Sequence, residues 1–181
     1  SGKMSKSSGE FLTVSLLQEK GYDPLAYRFF CLQSHYRKGL VFSWENLDNA
    51  AVAFNKLIAR IAAQKVKEGE TVDEAALAAL KAKFTAALDN DLNTSLAITA
   101  LYDVLKYQTN DATKLHLLDD FDYVLGLDLL KKAEKVRDLR RGYLRLFLRM
   151  GLLAAAGYLL LSFVWLLWRV QGQEMVPAVH D

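Results

Sequence analysis

Phe42–Gly69 reads FSWENLDNAAVAFNKLIARIAAQKVKEG. Its apolar residues Leu47, Ala51, Phe54, Leu57, Ile58 and Ile61 fall at spacings of three and four, which places them on one face of a helix. Ser43 is the N-cap candidate and Gly69 the stop. Upstream, Asp23 followed by Pro24 offers a cap and a first-turn proline for LAYRFFCLQSHY, and Gly39 breaks the chain after it. Downstream, Thr71 and Glu74 form a capping box that opens VDEAALAALKAKFTAAL. DNDLNT is a turn cluster, after which Thr94 caps SLAITALYDVLKYQ with the stripe Leu96, Leu101, Val104 and Leu105. TNDAT is a second break, and KLHLLDDFDYVLG a short helix ending at Gly126. No alternating strand pattern of useful length appears. The fold class predicted is all-α, an antiparallel helical bundle followed by a single transmembrane helix. Each amphipathic helix buries one face against the others, so packing rather than propensity holds the bundle together.

The charge is divided along the 181 residues. Residues 1–130 carry 14 basic against 17 acidic side chains, a net of about −3, whereas Lys131–Arg149 carries 8 against 2. Asp128 caps the last element, whose basic part includes Arg137, Arg140, Arg141, Arg145 and Arg149. Gly151–Trp168 follows, 18 residues without a charge. At 1.5 Å per residue it spans roughly 27 Å, close to the hydrocarbon core of a bilayer. The alternative, a core helix, needs more apolar partners than a small bundle supplies. Tyr158, Trp165 and Trp168 add interfacial aromatic character, and Arg169 snorkels. The arginine collar against this run fits lipid headgroups better than nucleic acid. Positive-inside logic puts the helical body in the cytoplasm and the tail outside, a single-pass membrane protein.

One cysteine, Cys31, excludes an intrachain disulfide and a Cys-cluster metal site, and its apolar helical setting predicts a buried, inert thiol. Cys31 and His35 are spaced i, i+4, which gives two ligands at most, so no metal site is expected. The opening loop SGKMSKSSGEF has a different chemistry. Lys3 and Lys6, two ammonium groups on a glycine-flanked loop, can converge on a polyphosphate, with donors added by Ser5, Ser7 and backbone N–H groups. The plain alternative is a solvated basic loop.

Lys3-Met4-Ser5-Lys6-Ser7 matches the KMSKS signature of class I aminoacyl-tRNA synthetases. The continuation GEFLTVSLLQEKGYDPLAYRFFCLQSHYRKGLVFSWENL, the block FTAALDNDLNTSLAITALYDVL and the block LLDDFDYVLGLDLL resemble cysteinyl-tRNA synthetases over roughly residues 1–130. That resemblance implies a loop closing over ATP and its magnesium, with Lys6, assisted by Lys3, stabilising charge on the departing pyrophosphate. It also implies a helical domain that cradles the inner side of tRNA. His35, Arg37, Lys38 and Trp44 are the candidate tRNA contacts, since cation plus aromatic serves phosphate and base stacking. The bland reading is a capped, partly buried turn, which the net negative charge favours. The nucleotide-binding half, the HIGH-type motif and the Cys/His zinc site of that family are not in this sequence. The chain alone is therefore not expected to ligate cysteine to tRNA without a partner chain that supplies the catalytic half.

FVWLLWRVQGQEMVPAVHD resembles the junction between anchor and catalytic domain of type I signal peptidases, over about residues 137–181. Where that family's pattern has its nucleophilic serine before Met-x-Pro, this sequence has Glu174, and no lysine base follows. The resemblance thus implies an anchor without proteolysis. His180 and Asp181 are adjacent and terminal, which predicts fraying rather than relay chemistry. The organisation expected is a phosphate loop and leading helix at 1–22, the bundle at 23–130, a basic juxtamembrane helix at 131–150, the span at 151–170 and an external tail at 171–181. With no initiator Met and no signal-peptide pattern, the sequence also fits a piece of something longer, or a truncated or joined reading frame without an evolved joint function.

Overall fold

Phe29, Phe54 and Phe121 are fully buried side chains around which the helices gather. The computed structural model describes residues 13–173, and among these it contains seven α-helices and no strand. They are α1 (Val14–Glu19), α2 (Pro24–Leu32), α3 (Trp44–Ala62), α4 (Glu74–Asp89), α5 (Thr94–Lys106), α6 (Asp111–Leu125) and α7 (Leu129–Gln173). The chain divides into two units at Arg137, so the first ends within the opening turns of α7.

In the first unit, α2 packs on α3, and α4 packs on both α5 and α6. A four-residue connection joins α4 to α5, too short to do anything but fold α5 back along α4. Phe29 meets Phe54 at 5.3 Å between ring centroids, and Phe84 stacks on Phe121 at 3.9 Å. Leu47, Phe54, Leu57, Ile58 and Ile61 are buried, as their spacing requires. Ala50 joins them, with Ala51 half-buried beside it. A second, smaller cluster forms around Leu17, Phe30, Leu47 and Ala50, with Tyr22, Tyr27, Cys31, Phe42 and Trp44 against it.

Several helix ends differ from the sequence reading. Ser43 and Asp23 cap α3 and α2 as expected, each accepting from a first-turn N–H. The helix α3 stops at Ala62, not at Gly69, which instead takes φ +77° in a later turn. The cap of α4 is Asp73 rather than Thr71: the Asp73 carboxylate accepts from Ala76 N–H at 3.1 Å. Thr71 turns its carbonyl to the Asn110 side-chain amide at 2.7 Å. Asn93, not Thr94, caps α5 by accepting from Leu96 N–H. Leu96 is exposed, and Ala97 and Ile98 take its place in the core. Of two neighbouring polar residues, the one whose side chain lies just outside the first turn becomes the cap.

The start of α7 departs furthest. Asp128 takes φ +54° and gives only its carbonyl, to Lys132 N–H at 2.9 Å. The capping carboxylate is Asp122, in the last turn of α6. Its two oxygens accept from Leu127 N–H and Leu129 N–H, both at 2.7 Å. Gly126 ends α6 at φ +63°, where a side chain would be strained and would crowd the Arg28 guanidinium. Arg28 donates from Nε to the Leu125 carbonyl at 2.6 Å, a cation at a helix C-terminus. Lys132 pairs with Asp23, tying α7 to the N-terminus of α2.

In the second unit, α7 continues from Asp138 as one helix. None of Gly151–Trp168 is buried. Among the described residues α7 is the one helix whose length and composition would let it cross a bilayer.

Candidate nucleic-acid interface

The turn after α2 brings His35, Tyr36 and Arg37 onto one acceptor, Asp91, in the turn between α4 and α5. Arg37 reaches its carboxylate through Nε at 2.6 Å and through Nη2 at 3.0 Å. Tyr36 donates its hydroxyl to the same carboxylate at 2.7 Å, and His35 Nε2 lies 3.7 Å away. The His35 ring stacks on Tyr36 at 5.0 Å, and the Arg37 guanidinium sits 5.4 Å from the same ring. The Tyr36 and Arg37 hydrogen bonds hold Asp91 below the ordinary aspartate range, and the same bond from Tyr36 to Asp91 pushes the phenol up. Asp91 and Leu92 both take positive φ, 55° and 50°, in the turn whose Asp91 carboxylate meets the turn after α2.

Of the four candidate contacts, His35 and Arg37 therefore converge, and Asp91 offsets the Arg37 charge. Lys38 lies exposed in the same turn. Trp44 belongs elsewhere: it is half-buried in the smaller cluster, stacked on Tyr22 at 5.8 Å and edge-on to Phe42 at 5.3 Å. Lys20 Nζ stands 4.9 Å from the Trp44 ring, a cation the sequence did not mark. Cys31 is half-buried rather than buried, beside Tyr27. α2 ends at Leu32, so His35 lies in the turn beyond it rather than on one helix face with Cys31, and among the described residues no group of three metal-ligating side chains occurs. Lys3, Ser5, Lys6, Ser7 and Glu174 lie outside the described residues, as do His180 and Asp181.

A second surface was missed by the sequence reading. Between α4 and α6 runs a groove of about 370 Å³ lined by Lys81, Phe84, Leu88, Asp120, Phe121 and Tyr123. Tyr123 is 93% exposed at its rim. Lys81 pairs with Asp120 at 2.7 Å, and that hydrogen bond lowers the Asp120 pKa. An open aromatic face beside a cation can take a nucleobase. Periodicity gave no warning, because Tyr123 lies off the buried face of α6, where side-chain identity is little constrained by packing.

Residues 83–131 match the DALR domain. The match takes in the end of α4, all of α5 and α6, and the Asp122 joint. Beyond it, most of the chain is similar to cysteine–tRNA ligases. The ligase of Novosphingobium aromaticivorans is 42% identical over 143 residues, covering 77% of this chain and 29% of the relative. Cysteine–tRNA ligase 1 of Burkholderia lata is 44% identical over 127 residues, 70% of this chain and 26% of the relative. That of Treponema pallidum is 34% identical over 150 residues, 72% of this chain and 29% of the relative. The chain thus spans under a third of the length of these curated relatives.

Proposed function

We propose that this chain is the phosphate-loop and tRNA-side helical part of a cysteine–tRNA ligase-like protein. In this reading it is held to a membrane by Gly151–Trp168, with the helical body cytoplasmic and the tail outside. The observation that carries the first part is the DALR match at residues 83–131, set inside a 77% stretch similar to a named cysteine–tRNA ligase. The membrane part is supported by the uncharged, exposed run in α7 and the arginines ahead of it.

Ligation of cysteine to tRNA needs a catalytic half that these 181 residues do not include. With that half present, Lys6 and Lys3 act on the ATP phosphates, and Lys6→Ala lowers adenylation about 100-fold or more without changing helix content. An unchanged rate would mean that the loop is idle. The tRNA surface is the groove at Tyr123 together with the turn at Arg37 and Lys38. Because acidic residues outnumber basic ones in the body, few phosphates are neutralised, so affinity is modest and falls only gently with salt.

A gel shift of the full chain with a cysteine tRNA at low salt tests this. Retarded tRNA is expected, with retardation weakened in Tyr123→Ala by about 1–3 kcal/mol, the worth of one base stack. No shift at low salt removes the tRNA reading. A second reading follows from the tail, a signal peptidase-like anchor that carries the helical body as cargo. Glu174 in place of the nucleophile makes it proteolytically silent, so trimming of a preprotein by the purified chain would refute it.

A further inference from the structure

We propose that Asp138–Met150 binds anionic lipid headgroups and lies along the membrane surface instead of continuing upright out of the span. This rests on the reading of Gly151–Trp168 as that span. Large apolar side chains along α7 are exposed from Leu139 to Leu167, a rise of roughly 42 Å at 1.5 Å per residue. The hydrocarbon core accommodates about 30 Å of this. Gly151–Trp168 alone fills nearly all of it, so the surplus is the segment before Gly151, roughly 18 Å of rise from Leu139, where Arg140, Arg141, Arg145 and Arg149 are interleaved with the apolar residues.

On the helix, Arg141, Arg145 and Arg149 follow one another at spacings of four and make one row. Leu139, Tyr143, Leu146, Phe147 and Met150 occupy the opposite side, each more than half exposed, and Arg140 stands at its edge beside Phe147, where its stem must snorkel to the headgroups. Leu144 and Leu148 border the arginine row. Held upright, the segment keeps these apolar side chains in water. Laid in the interface, it puts the apolar side in the acyl boundary and the guanidinium groups among phosphates, with their stems along the surface. α7 runs through Gly151 as one helix in the structure, and the bend would fall at this glycine, a weak helix former at the border of the uncharged run.

Other occupants fit less well. A second copy packed on the apolar side would bury it but leave the Arg141, Arg145 and Arg149 row facing outward without anionic partners. RNA would use the guanidinium groups but leave Leu139, Leu146 and Phe147 unsatisfied.

Spin-label depth in the full chain, with Cys31→Ser removing the native thiol, decides the matter. Leu139→Cys, Tyr143→Cys, Phe147→Cys and Leu160→Cys are labelled one at a time in phosphatidylcholine vesicles containing phosphatidylglycerol. The expected result is one shallow depth below the phosphates for the first three and a mid-bilayer depth for Leu160→Cys. In the Arg141→Gln, Arg145→Gln, Arg149→Gln chain, or in pure phosphatidylcholine, the first three lift toward water while the Leu160→Cys label stays in place. An upright helix instead gives heights stepping out of the bilayer by roughly 18, 12 and 6 Å above Gly151, which overturns the proposal and leaves the span intact. Unchanged shallow depths in neutral lipid overturn the headgroup assignment. Labels in water that are shielded on adding tRNA assign the arginines to RNA and overturn it too. A Leu160→Cys label outside the hydrocarbon overturns the span and this proposal together.

Discussion

Asp122 holds two backbone N–H groups, those of Leu127 and Leu129, on residues with no exposed surface. Burial pushes its pKa up, and the two hydrogen bonds only partly offset that rise. Replacing it with alanine leaves both donors without partners, so Asp122→Ala is expected to cost about 2 kcal/mol in urea unfolding. A loss below a few tenths would mean that water reaches the joint. Asp91 has the opposite shift, held low by Tyr36 and Arg37. Its contribution is fully present above the ordinary aspartate value of 3.8 and is lost as the pH falls through the lower folded value. The gap in urea midpoint between the parent and Asp91→Asn should therefore exist at pH 7 and close in acid. A gap independent of pH would show that the ion pair does not contribute. Neither role was legible from residue order. Ser43 and Asp23 sit directly before the helices they cap, and pattern finds such residues. Asp122 serves a helix seven positions on, across the αL turn at Gly126, and Asp91 answers residues more than fifty positions earlier.

At the scale of elements, periodicity placed the helices correctly because each has one face that must leave water. It located the α3 face nearly residue for residue, since a long helix repeats its pattern several times. The ends of α2, α3, α4 and α5 were read one to seven residues away from their places, α2 running only to Leu32 and not through Tyr36; at α4 and α5 the reason is that Thr71, Asp73, Asn93 and Thr94 are all competent caps. Tertiary partners choose among them. Thr113, fully buried, shows how: it accepts from Asp73 N–H at 2.8 Å and donates to Asn110 at 2.7 Å, locking the start of α4 to the start of α6. The same pair of helices meets in the Phe84–Phe121 stack. Phe121→Ala is expected to cost about 3–5 kcal/mol, the usual range for emptying a buried aromatic site. Equilibrium denaturation measures it, and a cost near 1 kcal/mol would mean that α4 and α6 close over the void.

For the molecule as a whole, the first unit is a helical body whose residues 83–131 match the DALR domain, and the second is an exposed apolar helix. The all-helical class and the synthetase likeness were legible in the sequence, the latter because three blocks occur in order. The proposed tRNA surface was only half legible: the turn at His35 and Arg37 was marked, but its neutralisation by Asp91 and the open face of Tyr123 depend on which helices become neighbours. The central claim is that the body meets tRNA through this domain. Amide hydrogen exchange of the full chain in phosphatidylcholine nanodiscs, with and without a cysteine tRNA at low salt, tests it most directly. The expected result is slowed exchange within residues 83–131, strongest around Tyr123, with residues 138–169 unchanged. Unaltered exchange in 83–131, or protection confined to the arginines of α7, would contradict it.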